Sequence, residues 1–339
     1  MTRARRIFLA GSVVAATCAY ASAANAHHSF AIYANERIEL TGEVAAIQWH
    51  NPHVILELKT TGNDGERTWR MEGGSISTLQ RAGVTRDLVR VGDQVKIAGL
   101  PSRRDPLMLA LTNVLLPDGR EVQFLTNAPA YFTSPERMVH GSQRVVDAQR
   151  ENRSIFRVWS VPAPNPAGAA ALRDLPYTPA AIAARASFDL LDNFATRCEP
   201  EGMPRIMFNP HPFELVDRGD AIVLRAELYD TERIIHLNRA APPADEPPSR
   251  LGYSVGHWDG DELVVSTTRV NWPFFDNAGT PQSTAVEIVE RYRLSADQTQ
   301  LSFHVTVTDP ATFTGYAVIE GHWLALGQTI ERYDCQRRE

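Results

Sequence analysis

Two zones of period-two hydrophobic alternation organise the chain, with a stretch between them where the alternation lapses. In the first zone Ile38, Leu40, Gly42 and Val44 alternate with polar positions, and Val54, Leu56 and Leu58 repeat the pattern, so 38–46 and 54–59 read as strands. The turn cluster Gly62-Asn63-Asp64-Gly65 leads to a third strand at 67–72 with Trp69 and Met71 on one face, which makes a hairpin. A short helix over 75–83, a strand at 94–98 after Gly92-Asp93 and a strand at 108–116 before Pro117-Asp118-Gly119 complete the zone. About five strands with one helix among them predict a small OB-like Greek-key barrel over 27–126, with an open sandwich as the alternative.

From 127 to 195 the pattern changes. Pro162, Pro164 and Pro166 among several alanines suit a linker or an extended wrap. Thr178-Pro179 supplies an N-cap followed by proline at the first helical position and predicts a helix over 179–193, with another over 134–152. Alternation returns over 196–339, where 221–229, 233–238, 252–258, 263–270, 286–294, 301–309, 316–326 and 328–334 read as strands separated by short turns such as Asp259-Gly260-Asp261. About eight strands in hairpin order predict a larger antiparallel β-barrel or a two-layer meander. The expected class is mainly β: a small OB-like Greek-key barrel, a linker with helices, and the larger barrel.

Residues 1–26 stand apart from both zones. Arg3, Arg5 and Arg6 precede an apolar run from Ile7 to Ala16 and then small residues, the make-up of an export signal. Arg5-Arg6-Ile7-Phe8-Leu9 suits the twin-arginine type, and an ordinary secretory signal is the alternative. Ala24-Asn25-Ala26 fits the small-x-small cleavage rule, as do Ala21-Ser22-Ala23 and Ser22-Ala23-Ala24; a lipoprotein reading through Cys18 fits poorly, with Thr17 before it. Cleavage after Ala26 would leave His27 as the amino terminus. No later apolar run approaches the ~18 residues a membrane span needs, so a periplasmic or secreted protein is expected, with no membrane span in the mature chain.

Composition narrows the classes. Hydrophobic residues at 43% and charged residues at 22% exclude wholesale disorder. Losing three arginines and no acid with the signal moves the net charge from 34 − 40 = −6 to 31 − 40 = −9, which argues against a nucleic-acid partner. The mature chain keeps Cys198 and Cys335, an even pair expected to form a disulfide that brackets the second domain. In the chain-entropy model such a bond stabilises by about 4 to 5 kcal/mol.

Two groups of residues carry candidate chemistry. His27, His28, His50 and His53 place four of the ten histidines within 27 positions. Copper(II) favours nitrogen donors, and a free α-amine on His27 would chelate together with its own ring. His50 and His53 flank Asn51-Pro52, a turn that could aim both rings at one place. The competing reading makes the first pair a loose terminus and the second pair turn residues bonded to the backbone, with Glu43, Trp69 and Glu72 as supporting or simple barrel residues. In the second domain, period two puts Glu290 with Val286, Ile288, Tyr292 and Leu294, and Glu320 and His322 with Tyr316, Val318 and Leu324. If those faces point inward, Glu290, Glu320 and His322, with Arg233 and His236 nearby, would line a pocket for a small-molecule ligand. Otherwise the carboxylates pair with Arg225, Arg233 or Arg291 and hold the sheet register. Ser254 near His257 lacks the Gly-x-Ser-x-Gly elbow of a hydrolase, and no His-Glu-x-x-His or phosphate loop is present.

His27-His28-Ser29-Phe30, Gly42-Glu43-Val44, Trp49-His50-Asn51-Pro52-His53 and Gly92-Asp93-Gln94-Val95 resemble a widespread family of exported bacterial proteins of unknown function, whose mature chains open on His-His-Ser-Phe. The second zone resembles another uncharacterised bacterial family through Cys198 to Arg205, Arg233-Ile234-Ile235-His236, Gly256-His257-Trp258 with Gly260-Asp261, Glu290-Arg291 and Asp309-Pro310. These resemblances imply export and a two-part chain and bring no reaction. Two classes follow: an exported copper-binding protein using the four histidines, or a periplasmic ligand-binding or scaffold protein without catalysis.

Overall fold

The computed structural model describes residues 33–62, 65–125, 128–139, 142–150, 154–162, 172, 174–189, 194–195, 197–333 and 335. The first zone of alternation forms β1 (Ile38–Gln48), β2 (Ile55–Gly62), β3 (Gly65–Glu72), α1 (Ile76–Arg81), β4 (Gln94–Pro101) and β5 (Met108–Leu115). They pair in the order β3-β2-β1-β4-β5, and parallel pairing of Arg70, Met71 and Glu72 with Met108, Leu109 and Ala110 closes the ring. A closed five-stranded barrel with a helix between β3 and β4 is the expected OB-like Greek-key arrangement. β1 serves two neighbours, β4 with its first half and β2 with its second. Gly42 lies beside that handover, where a Cβ would stand 2.1 Å from the Lys59 carbonyl oxygen, so a side chain there would force the two strands apart.

Val44, Leu56, Leu58, Met71, Ile97, Leu109 and Leu111 fill this barrel, and α1 adds Ile76 and Leu79 to the same core. Ser75 caps the helix by accepting from the Thr78 amide at 3.2 Å. A short strand β6 (Glu121–Gln123), absent from the alternation, extends the sheet beside β5. Its Glu121 is fully buried and accepts from the amides of Tyr131, Phe132 and Thr133, which ties the following loop to the barrel wall.

Among the described residues, the middle region holds less helix than expected. The 134–152 segment divides into a 3-10 turn at Pro135–Arg137 and α2 (Ser142–Arg150). Next comes β7 (Val158–Trp159), then α3 (Pro179–Ser187), which starts as expected on the Thr178 cap and stops before 193 because Phe188 turns to extended backbone. Trp159, at the start of the expected linker, is a fully buried core residue of the larger barrel. Residues 163–171, the proline-rich run, lie outside the described residues.

The larger barrel adds β8 (Phe213–Asp217), β9 (Ala221–Ala226), β10 (Thr231–His236), β11 (Tyr253–Asp259), β12 (Glu262–Thr268), β13 (Glu287–Leu294), β14 (Gln300–Thr308) and β15 (Tyr316–Leu324). The nine strands neighbour one another in sequence order, and a bridge between Ser160 and Leu324 brings the two ends together, leaving the barrel nearly closed. Three details depart from the sequence reading. β7 and β8 were not visible in the alternation. The pair β10–β11 is parallel, because the proline-rich 237–252 connection crosses over instead of turning back. Residues 328–333 form no strand, and Asp334 lies outside the described residues.

The parallel join is also short, with only Ile235↔Ser254 and His236↔Val255 in register. Side chains brace it from inside. Arg233 Nε donates to Ser254 Oγ at 3.0 Å, Nη2 to Thr267 Oγ1 at 2.8 Å, and Nη1 to Glu290 Oε1 at 3.0 Å, while Nη2 also pairs with Glu290 Oε2. The Tyr292 hydroxyl donates to Glu290 Oε1 at 2.5 Å. Four neighbouring strands, β10 to β13, are thus linked through one buried ion pair. Burial pulls the Arg233 guanidinium down, but the Glu290 carboxylate more than offsets this and leaves it above its ordinary value. Removing one partner of such a pair costs about 3 to 5 kcal/mol, because the other charge stays buried. Arg233→Met and Glu290→Gln should each lower the denaturation free energy by about that amount. The double variant should recover much of the loss. Urea titrations of the three variants check this, and additive losses would contradict it.

Candidate functional site

The Trp49–His53 turn leaves β1 and enters β2 through a cis Asn51-Pro52 bond. Asn51 is fully buried and anchors the turn on both sides. Its Oδ1 accepts from the Ile76 amide at 3.0 Å, at the start of α1, and its Nδ2 donates to the Arg332 carbonyl at 3.4 Å in the C-terminal segment. His50 and His53, both half-buried, flank this anchor. His53 Nδ1 lies 3.0 Å from the Gly73 carbonyl oxygen and 3.3 Å from Glu72 Oε1, and His50 Nδ1 lies 3.0 Å from the Asn51 carbonyl oxygen. A carbonyl oxygen only accepts, so each Nδ1 carries the proton, and in a neutral imidazole the lone pair then belongs to Nε2. Histidines that ligate metals are oriented in this way, by a carbonyl or carboxylate on the other ring nitrogen.

Glu72 is buried, and its second oxygen accepts from the Tyr33 hydroxyl at 3.0 Å. Trp69 donates to Thr60 Oγ1 at 3.2 Å and Glu43 accepts from Gln94 at 3.2 Å, both as barrel-wall contacts. His27 and His28 lie outside the described residues. Among the described residues, no group of three or more His, Cys, Asp or Glu side chains is arranged to hold a metal ion, so His50, His53 and Glu72 do not close a site by themselves.

The pocket candidates of the larger barrel are dispersed. Glu290 and Arg233 point inward and satisfy one another, whereas Glu320 and His322 lie on the outer face, since the inner face of β15 is Ala317, Ile319 and Trp323. Glu320 is exposed and pairs with His304 Nδ1 at 2.6 Å in an open groove of about 310 Å3 shared with Glu262, Arg291 and Arg293. His322 borders a space of about 10 Å3 beside Phe208 and Trp323, and His236 stacks on Tyr253 at 4.5 Å. Glu290, Glu320 and His322 therefore line no common cavity. Ser254 is held inside by Arg233 and Thr267, and His257 is exposed. Cys198 and Cys335 form a disulfide.

A second cluster, not visible in the sequence pattern, occupies the seam between the barrels. Arg81 of α1 donates to the Pro210 carbonyl at 3.0 Å, Gln328 donates to the Ser77 carbonyl at 2.6 Å, and Ser77 Oγ lies 3.5 Å from His211 Nδ1. His211 Nδ1 is also 2.9 Å from Glu227 Oε1. Serine, histidine and carboxylate in a row suggest a nucleophile relay, but a relay needs the hydroxyl and the carboxylate on different ring nitrogens. Here both contacts fall on Nδ1. Burial pushes the Arg81 guanidinium down to about 10, with Glu227 opposing. Glu201 is fully buried, neither carboxylate oxygen has a hydrogen bond, and Arg205 Nε stands 3.5 Å away. Burial raises its carboxyl above the ordinary range, against the pull of Arg205 and His211.

Comparison with known proteins bears on the first barrel. Residues 15–107 match a family of unknown function (DUF6152). The matched stretch contains all four candidate histidines and Glu72. None of the curated proteins matches the chain. Among the described residues no helix is long and apolar enough to cross a membrane, and this together with the disulfide is consistent with an exported protein.

Glu201 gives the seam a pH signature. A carboxyl whose folded-state pKa is raised contributes stability that is fully present below its unfolded value, here 4.5, and lost as pH rises through the folded value. Glu201→Gln should remove that loss. The parent protein should weaken relative to the variant between mildly acidic and neutral pH in denaturant titrations. Parallel stability curves would refute the assignment.

Proposed function

We propose that this is an exported periplasmic metal-binding protein that holds copper(II) through His27, His28, His50 and His53. The observation that carries this reading is the orientation of His50 and His53, whose Nδ1 atoms are engaged by backbone carbonyls so that Nε2 is the donor atom. Glu72 adds a carboxylate beside His53, which raises the basicity of the ring and fixes its tautomer. Chain reach also supports it. His28 precedes Tyr33 by five residues, a span of at most about 18 Å. The Tyr33 hydroxyl already bonds the same Glu72 that contacts His53. A free His27 amine and the imidazoles would complete the nitrogen-rich donor set that copper(II) favours.

The other reading, a periplasmic ligand-binding or scaffold protein, is supported in its scaffold half by the polar seam. It draws little support for a ligand inside the larger barrel, whose interior is occupied by Trp159, Tyr292, Phe303 and Trp323.

Copper titration of protein whose amino terminus is verified as His27 by mass spectrometry separates the two. One extra residue before His27 should abolish tight binding. Glu72→Gln should weaken it about 10- to 100-fold, the usual effect of removing a partner of a ligating histidine. Equal affinity in all three forms would eliminate the copper site.

A further inference from the structure

The described residues beyond β15 form no regular secondary structure, yet they contact both barrels. Gln328 Nε2 donates to the Ser77 carbonyl of α1 at 2.6 Å, and the Glu331 amide donates to Glu227 Oε2 at 3.1 Å. The Arg332 carbonyl accepts from Asn51, and the Tyr333 amide donates to Asp230 Oδ1 at 3.0 Å. The Tyr333 ring packs edge-on against His211 at 5.2 Å and Tyr229 at 4.9 Å. Cys335 then closes on Cys198. The segment is thus a strap across the seam, fixed at its far end by one covalent bond.

Two features make that bond a control point. Neither cysteine is fully buried, and Cys335 sits at the margin of the larger core, so the bond lies at the edge of the packed interior. The strap also lies near an unfavourable arrangement: Tyr333 packs on His211 and Tyr229, and Glu201 is buried with neither oxygen hydrogen-bonded among the described residues. Besides the disulfide, a few hydrogen bonds and the packing of one tyrosine hold the strap. Release would also leave the Asn51 amide without its Arg332 acceptor, which loosens the turn that carries His50 and His53.

We propose that Cys198–Cys335 is a thiol–disulfide exchange site whose reduction frees the C-terminal strap from the seam and, through Asn51, loosens the Trp49–His53 turn. The co-reactant is a dithiol. One of its thiolates attacks a sulfur of the bond, the other cysteine leaves as a thiolate and takes up a proton, and the second thiol of the partner resolves the mixed disulfide. Two electrons and two protons pass to the pair, and the partner becomes a disulfide. The inference does not rest on the copper reading, because it is tested on metal-free protein.

Hydrogen exchange of the folded, full-length protein before and after treatment with excess dithiothreitol is the test, with free thiols counted. Peptides covering 328–333 and 49–53 should exchange at least about tenfold faster after reduction, as expected for local opening, while those in β13 and β14 stay unchanged. The Cys198→Ser/Cys335→Ser double variant should reproduce the reduced pattern without reductant. Asn51→Ala in the oxidised protein should loosen 49–53 and the start of α1 while the amides of 328–333 stay protected. A disulfide that resists reduction in the folded protein would overturn the proposal. So would unchanged exchange at 49–53 with two thiols free, or a uniform rise throughout the larger barrel.

Discussion

A guanidinium inside the larger barrel is the constraint on which that half of the molecule depends. Arg233 has no water to turn to, so Glu290, Ser254 and Thr267 must all be in place at once, and they come from three other strands. The demand falls where the backbone ladder is weakest, at the two-residue parallel join of β10 and β11. A polar centre that is fully satisfied in this way specifies one strand order, since a slip of one residue would turn Arg233 outward and leave Glu290 buried alone. It also leaves no vacancy for a ligand among those side chains.

The seam joins the two halves through loops and one short helix. Asn51 shows how a short motif serves both halves: its side chain links the first barrel's helix to the last residues of the chain, while the histidines on either side remain half-buried and oriented. The buried asparagine supplies a packing reason for the turn, and the ring orientations supply a chemical one. These are compatible, because a donor set needs a rigid support.

Most of the strands were legible because each has one wet face and one dry face, which period two records directly. β6, β7 and β8 were not, being two to five residues long and lacking enough turns of the pattern. Residues 328–333 resembled a strand, but their amides bond to the Glu227 and Asp230 side chains where a strand would use a ladder. The Arg233–Glu290 pair stood among the sequence alternatives as a register-holding ion pair. The placement of Glu320 and His322 depended on which mixed face of β15 pointed inward, and Trp323, one position away, decides it. Nothing in the pattern marks Arg81, His211 or Glu201; Arg81 and Ser77 of α1 reach Pro210 and His211 more than a hundred residues away.

The disulfide also makes the stretch that carries β8 to β15 a covalent ring. Cys198 and Cys335 are 137 residues apart in sequence and 5.8 Å apart at Cα, so the chain between them has no free end. The proline-rich 237–252 crossover, exposed along much of its length, is the sort of segment that proteases cut first. A single cut there would leave one molecule with new termini and every strand still tethered. To a protease, the stretch from Cys198 to Cys335 in the oxidised protein is a circle that must be broken twice before a piece of it can leave.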